Sequence, residues 1–169
     1  MLILGIDCGS QATGYGLVES DGHRHRALAF GAIRPPKKDD FARRLDFIHR
    51  QVCELIAAQR PDCVAVEDIF FAENARSAIK LGHVRGVVLQ AAAAAGVAVA
   101  EYTPLAVKSA LTGYGRAEKQ QVRHMVAVLL AMEEAPVSLD ASDALAVAIC
   151  HIHTAGAMAA SASGGASAV

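Results

Sequence analysis

Four carboxylates occupy positions from which they could share one site. Asp7 ends a short apolar run near the N-terminus, and Glu67 ends a second one. Asp140 and Asp143 are three residues apart ahead of a third apolar segment, so in a helix they would lie on one side. A carboxylate at the end of a buried strand costs free energy unless a partner or a ligand compensates for its charge. Four ionised carboxylates in one place require cations.

These residue types predict a particular cofactor and a particular reaction. Oxygen-only ligands suit hard divalent ions, so Mg²⁺ is the expected cofactor and Mn²⁺ its expected substitute. Two such ions about 4 Å apart can activate a water and stabilise the leaving oxygen in phosphodiester cleavage. The hypothesis is therefore a phosphodiester hydrolase that holds two metal ions in each active site.

Each carboxylate also has a purely structural interpretation, which the residues alone leave open. Asp7 could simply open an Asx-type turn. Asp140 and Asp143 before an apolar run match an N-cap followed by an acidic third helical position. Asp68 follows Glu67 directly, and strand alternation allows only one of these two to share a face with Asp7.

The elements that must position these residues follow from hydrophobic periodicity. Strands are predicted at 2–7, 14–20, 26–33, 63–66 and 97–102. Helices are predicted at 41–58, 74–95, 104–111, 118–132 and 142–154. Gly9, Gly14 and Gly16 are expected to let the chain turn sharply between the first two strands. This order predicts an α/β fold with a mixed five-stranded sheet and helices on both faces, with Asp7 and Glu67 at carboxyl ends of strands, where such sheets bind ligands.

Length and composition predict a single domain. The 169 residues suffice for one core, assigned to residues 1–154, and the uncharged, Ala- and Ser-rich tail at 155–169 is predicted to be disordered. No apolar stretch reaches the length of a membrane span, and no signal peptide is visible. The four cysteines lack metal-ligand spacing, so reduced thiols and a cytoplasmic location are expected.

The charge distribution is more favourable to nucleic-acid binding than the net charge of −1 suggests. All 16 lysines and arginines lie at or before Arg123. If the four carboxylates are set aside as metal ligands, the basic residues outnumber the remaining acidic ones. A local basic face is therefore expected, since such a face is what binds phosphates.

Four segments, at 5–16, 66–82, 117–122 and 140–146, resemble the motifs of the RuvC family of Holliday junction resolvases, in order from residue 1 to about 154. The resemblance implies a ribonuclease-H-like fold, a homodimer and Mg²⁺-dependent, symmetrical nicking of two opposite strands of a four-way DNA junction. It also implies roles in homologous recombination, DNA repair and the SOS response, with the branch-migration proteins RuvA and RuvB as partners.

The resemblance assigns roles to individual residues. The implied metal ligands are Asp7, Glu67, Asp140 and Asp143. It implies that Phe70 stacks on an unpaired base near the crossover, and that Lys108 and Lys119 approach the scissile phosphate and backbone, Lys119 as a catalytic residue. The basic residues that could flank the site and contact DNA are Arg76, Lys80, Arg85, Lys108, Arg116, Lys119 and Arg123. Two departures stand out: Cys8 replaces the usual Pro and brings an oxidisable thiol, and Glu73 is acidic where some members are basic.

Two other functions compete with nicking. A non-catalytic junction-binding module would use the carboxylates only for caps and turns. An actin-like phosphotransferase would hold a nucleotide in the Gly-rich turn, but it needs a larger second domain than 169 residues allow. A resolvase also needs two sites, and the helix at 74–95, with Gly82 and Gly86, is the expected two-fold interface.

Overall fold

The computed structural model describes residues 1–68 and 75–164, with side chains as far as Met158. The strands are β1 (Leu2–Asp7), β2 (Thr13–Ser20), β3 (His25–Ile33), β4 (Cys63–Glu67) and β5 (Ala98–Tyr102). The helices are α1 (Phe41–Gln59), α2 (Ala75–Ala94), α3 (Pro104–Thr112), α4 (Lys119–Leu129) and α5 (Leu139–Gly164). Among these residues the strands form one sheet in the order β3-β2-β1-β4-β5. β2 is antiparallel to β1 and β3, whereas β4 is parallel to β1 and β5, so the predicted mixed five-stranded sheet is confirmed.

The central strand β1 separates two hydrophobic layers. Ile3 packs in the layer under α3, α4 and α5, whereas Leu4 and Ile6 pack in the layer under α1 and α2. The same alternation governs β4, whose Ala65 faces α5 and whose Val66 faces the opposite layer. Because side chains alternate along a strand, the residue after each of these runs points to the α5 side of the sheet.

Helix α5 lies directly on β1 and β2 because glycines remove the side chains that would hold it away. A Cβ atom at Gly14 would overlap the backbone of Asp140, and one at Gly5 would overlap the backbone of Ala144. Gly14 lies inside β2, and the glycines with positive φ are found elsewhere in the described chain. The expected role of Gly14 and Gly16 as turning points is therefore wrong: they permit close packing of a helix on a strand.

Helix α5 begins earlier and ends later than the sequence pattern predicts. Ser138 Oγ accepts a hydrogen bond from the backbone N–H of Ala141, at 3.4 Å. Ser138 is thus the N-terminal cap, and Asp140 lies within the first turn. The interpretation of Asp140 as the cap is wrong, because the hydroxyl two residues earlier already fills that role.

The same helix continues through Gly164, so the prediction of disorder is wrong for residues 155–164. Alanine is the best helix former, and adding a turn to an existing helix costs far less than nucleating a new one. The domain boundary at residue 154 remains a prediction. Among the described residues, no helix combines the length and apolar character that crossing a bilayer requires.

Candidate active site

Two neighbouring strand ends and one helix bring the four carboxylates together. Ile6 of β1 pairs with Val66 of β4, so Asp7 and Glu67 follow at the same level and on the α5 side of the sheet. Asp140 is held over β2 by the contact of its backbone with Gly14. The α5 turn that carries Asp140 also carries Asp143.

The carboxylates perturb one another strongly. Burial, followed by the charges of Asp143 and Asp140, raises the pKa of Asp7 to about 6, and a hydrogen bond from Glu67 opposes this rise only in part. Burial, followed by the charges of Asp7 and Asp143, raises the pKa of Glu67 to about 7. Burial also raises the pKa of Asp143, although Lys119 opposes that shift. The site therefore concentrates more negative charge than it can hold without a cation.

Two lysines border the acidic cluster on the side of β4. Lys108 and Lys119 line a cavity of about 240 Å³ together with Glu67 and Asp143. The Nζ atom of Lys119 lies 3.8 Å from Oδ2 of Asp143. Lys119 is the first residue of α4, and a reciprocal capping box fixes the backbone there. The cavity thus presents carboxylate oxygens and ammonium groups to whatever enters it.

The opposite side of the cluster carries an arginine that sequence reasoning missed. The Nη2 atom of Arg34 donates a hydrogen bond to Oδ2 of Asp140 at 2.8 Å. Arg34 directly follows β3, and the pairing of Thr13 with Ile33 brings the end of β3 to the edge of the sheet where β1 ends. The predicted strands at 2–7, 14–20 and 26–33 carried this signal, because the first and third of three strands that pair antiparallel in chain order end at the same edge.

Two hydrogen bonds hold the loop after Asp7 in place. The guanidinium of Arg44 on α1 donates a hydrogen bond to the backbone oxygen of Ser10. The hydroxyl of Thr13 donates one to the backbone oxygen of Gly9, at 2.9 Å.

Burial, followed by the charge of Asp7, raises the pKa of the neighbouring Cys8 thiol to about 12. The expected oxidisable thiol is therefore held in its protonated form, which is the unreactive one.

Asp68 lies on the other side of the β4 end from Glu67, as strand alternation predicts. Its Oδ1 is 3.4 Å from Nη2 of Arg85, and the same guanidinium also pairs with Glu101 of β5. The Arg85 side chain is only 20% exposed. It therefore joins α2 to the sheet, and the suggested contact with DNA phosphate would require it to leave both carboxylates.

The remaining basic residues divide into exposed and anchored side chains. Arg76 and Lys80 are exposed on α2, and Arg116 is exposed before α4. Arg123, in contrast, is half-buried and donates a hydrogen bond to the backbone oxygen of Pro136 at 2.7 Å, so it supports the segment that leads into α5. Two residues that figured in the sequence reasoning, Phe70 and Glu73, lie outside the described residues.

The donor set fits a hard divalent cation better than any other ligand. All four candidate ligands offer carboxylate oxygens, and their raised pKa values reflect a crowding of negative charge that a divalent ion relieves. No group of three acidic, histidine or cysteine side chains in the described ranges is already arranged around a single metal position. The cluster is thus assembled by the fold, and metal binding must draw its oxygens closer together.

Comparisons with known proteins identify the family of the chain. Residues 3–151 match the family model of crossover junction endodeoxyribonuclease RuvC. The chain is 56% identical to the enzyme of that name from Acidobacterium capsulatum, over 90% of this chain and 94% of that protein. It is 54% identical to the one from Heliobacterium modesticaldum, over 91% and 95% of the two chains.

Solved structures give the same answer for the fold. Thermus thermophilus RuvC superimposes with a TM-score of 0.84 at 39% identity, covering 92% of this chain and 95% of that one. The same protein in complex with a Holliday junction substrate also gives 0.84, at 36% identity. The predicted ribonuclease-H-like fold is therefore confirmed. With its sheet and its matched residues in agreement, the chain belongs to the RuvC family of crossover junction endodeoxyribonucleases.

Proposed function

We propose that the protein resolves four-way DNA junctions by Mg²⁺-dependent, symmetrical nicking of two opposite strands. One observation carries the proposal: Asp7, Glu67, Asp140 and Asp143 gather at one edge of the sheet, with Lys119 beside them. The relative that was solved in complex with a Holliday junction substrate supports junction DNA as the substrate of this chain. The mutual pKa shifts support a cation-dependent reaction, because the cluster needs cations to be fully ionised at neutral pH.

In this proposal two different parts of the fold position the four carboxylates. Asp7 and Glu67 stand at the ends of the two central strands, which is the most rigid support the sheet provides. Asp140 and Asp143 are placed by α5, whose position depends on the glycines below it. When bound, two Mg²⁺ ions would supply an activated water and stabilise the leaving oxygen of the broken phosphodiester. Mn²⁺ should substitute, since it shares the preference for oxygen ligands.

The lysines complete the chemistry. Lys119 and Lys108 enter the same cavity as Glu67 and Asp143, so their ammonium groups face the position of the scissile phosphate. A fixed positive charge accelerates a reaction when it stabilises negative charge that develops in the transition state. Lys119 would be the closer of the two to the reacting phosphate, since it already approaches a predicted metal ligand.

The DNA arms would lie on the surface around this cavity. Arg76 and Lys80 on α2 and Arg116 before α4 are exposed and would contact phosphates. Phe70, as the family resemblance implies, would stack on a base near the crossover. Arg123 would contribute indirectly, by holding the segment before α5.

Two opposite nicks require two active sites, and one chain has one such site, so a homodimer is part of the proposal. On α2, Gly82 and Gly86 are exposed, a Cβ atom at either position would meet no other atom within 4 Å, and Ile79 is 61% exposed. An uncovered helix face with small residues suits a two-fold interface, in which the same patch serves both subunits. The family resemblance adds RuvA and RuvB as partners and places the reaction in recombination, repair and the SOS response in the cytoplasm.

The decisive experiment is cleavage of a synthetic four-way junction in Mg²⁺, in Mn²⁺ and in chelator. We expect two symmetrical nicks that depend on the metal. Asp7→Asn, Glu67→Gln, Asp140→Asn and Asp143→Asn should each lower the rate by at least about a hundredfold, the loss typical even for partners outside the first ligand shell, while junction binding survives. Binding without any cleavage by the wild type would instead support the non-catalytic module. Nicking in chelator would contradict the metal-dependent mechanism.

A further inference from the structure

We propose that Arg34 is a displaceable cation of the catalytic centre, which neutralises Asp140 in the metal-free protein and moves to a DNA phosphate when divalent ions occupy the site. This inference rests on the proposed function, because it assumes that Asp140 is a metal ligand. The observation behind it is the hydrogen bond of 2.8 Å from Nη2 of Arg34 to Oδ2 of Asp140. This contact joins the end of β3 to the first turn of α5.

The ion pair between Arg34 and Asp140 is exposed enough to break at little cost. The Arg34 side chain is 61% exposed and the Asp140 side chain 33% exposed. Solvent therefore screens the attraction, and such pairs contribute little to stability. The oxygen that accepts from Arg34 is also one that a hard cation would require. Because a guanidinium and a divalent ion compete for the same carboxylate, the doubly charged ion should displace the singly charged group.

The position of Arg34 identifies what it would bind next. Lys108 and Lys119 border the cluster on the side of β4 and β5, whereas Arg34 borders it at the end of β3, beyond β2. A DNA strand whose backbone passes Lys119 and crosses the four carboxylates would reach Arg34 on the other side of the acidic cluster. A guanidinium is the group best matched to a phosphate, which it can bind through two parallel hydrogen bonds. Buried Pro35 follows immediately and restricts the backbone, so mainly the side chain has to move.

Such an exchange couples metal binding to DNA binding. If metal frees Arg34 for a phosphate, metal must tighten DNA binding, and DNA must tighten metal binding by the same factor. The coupling has two separable signatures. Without DNA, removal of Arg34 should strengthen metal binding, because a competitor has gone. With DNA, removal of Arg34 should reduce the gain in DNA affinity that metal produces.

The test compares Arg34→Gln with Arg26→Gln. Arg26 also lies near one end of β3, and its Nη2 is 3.1 Å from Oε2 of exposed Glu19, at the opposite end of the strands from the carboxylates. It therefore controls for loss of one arginine and of one exposed ion pair. Calorimetry of the DNA-free proteins with Mg²⁺ and with Ca²⁺ measures the first signature. We expect Arg34→Gln to bind these ions roughly fivefold more tightly, which corresponds to about 1 kcal/mol, and Arg26→Gln to match the wild type.

The second signature is measured by fluorescence anisotropy of a labelled junction, with and without Ca²⁺, on DNA shown to be uncut. We expect Ca²⁺ to tighten binding by the wild type and by Arg26→Gln, and to do so several-fold less for Arg34→Gln. Arg34→Lys should retain part of the gain, because it keeps the charge but loses the paired hydrogen bonds.

Three outcomes would overturn the inference. Weaker metal binding by Arg34→Gln would mean that Arg34 holds Asp140 in place as a fixed positioning residue. Metal binding equal to that of the wild type would make the ion pair incidental, and an undiminished Ca²⁺ effect on DNA would remove the phosphate as the second partner. Failure of the proposed function would be distinguishable from these outcomes: Arg34→Gln would still differ from the wild type in both measurements, but the wild type would cut no junction.

Discussion

Arg85 of α2 reaches Asp68, the residue after Glu67, with 3.4 Å between Nη2 and Oδ1, and thereby ties a helix to the strand end that carries a predicted metal ligand. The same guanidinium holds Glu101 on β5. We predict that Arg85→Met lowers the free energy of unfolding by about 1–2 kcal/mol, because both carboxylates then lose the guanidinium that they share. Urea denaturation measures this loss.

Asp68→Asn tests which residue at the end of β4 faces the acidic cluster. This variant should cut junctions at a near-normal rate. If Asp68 proved essential for cleavage and Glu67 dispensable, our assignment of the two faces would be reversed.

Lys119 and Lys108 should act on the chemical step more than on binding. We predict that Lys119→Ala lowers the single-turnover cleavage rate at saturating DNA by roughly a hundredfold, the loss seen when one preorganised donor to a transition state is removed. Lys108→Ala should act in the same direction. Junction affinity, measured by anisotropy, should change far less. Arg24→Ala, at an exposed turn near the other end of the sheet, is the control, and equal losses of rate and affinity would make both lysines simple phosphate anchors.

Gly14 should be irreplaceable for a reason that has nothing to do with turns. A methyl group there would overlap the backbone oxygen of Asp140, so Gly14→Ala must displace the first turn of α5. We predict a loss of about 1–3 kcal/mol of stability, as for other overpacked sites, together with weakened binding of Mg²⁺. Gly156→Ala is the control. Gly156 lies in α5, where an added Cβ atom would meet no other atom within 4 Å, so alanine should leave stability unchanged or raise it. Wild-type metal affinity in folded Gly14→Ala would contradict this account.

The metal-free protein should become less stable as pH rises through the neutral range. Burial raises the pKa of Asp7 to about 6 and that of Glu67 to about 7, well above their ordinary values near 4. Between these limits the native state binds more protons than the unfolded state, so these two groups stabilise the fold below about pH 4 and lose that contribution as pH rises towards 7. Thermal unfolding in chelator, from about pH 5 to about pH 8, measures the trend.

Two comparisons isolate the cause. Asp7→Asn combined with Glu67→Gln should flatten the pH dependence, since neither side chain then titrates. Added Mg²⁺ should stabilise the wild type more at the alkaline end, because ligands must be deprotonated before they bind metal. An unchanged slope in the double variant would assign the effect to other groups.

The proposed dimer can be tested with one substitution. We predict that Gly86→Leu weakens dimerisation by about 1–3 kcal/mol, because a leucine would hold the two α2 helices apart. Sedimentation at micromolar concentration should show monomers, which cut one strand at most. Gly156→Leu is the matched control on another exposed helix glycine. A monomeric wild type that still cuts both strands in a concerted way would end the dimer proposal, and a dimer that tolerates Gly86→Leu would move the interface elsewhere.

The strand ends of this site were predictable because they depend on local rules. Apolar runs that stop at Asp7 and Glu67, together with strand alternation, are enough to put these two carboxylates side by side and to send Asp68 the other way. Residue spacing on a helix likewise kept Asp140 and Asp143 together. The family resemblance then added the lysines.

What the sequence did not disclose depends on contacts between distant segments. Gly14 and Gly16 look like turn residues until the helix that packs on them is known. Arg34 has no neighbouring carboxylate in sequence, and its partner is 106 residues away. The extent of α5 was underestimated because an uncharged Ala-rich segment resembles a disordered tail by composition, whereas its helix propensity favours continuation of a docked helix.

The seating of α5 on β1 and β2 also determines when the enzyme can become active. Two of the four predicted ligands belong to that helix, which comes last among the described elements. A ribosome releases β1 and β4 first, so Asp7 and Glu67 emerge long before their acidic partners. The proposed catalytic centre cannot assemble until the first turn of α5, which carries Asp140 and Asp143, has left the exit tunnel and folded against Gly14.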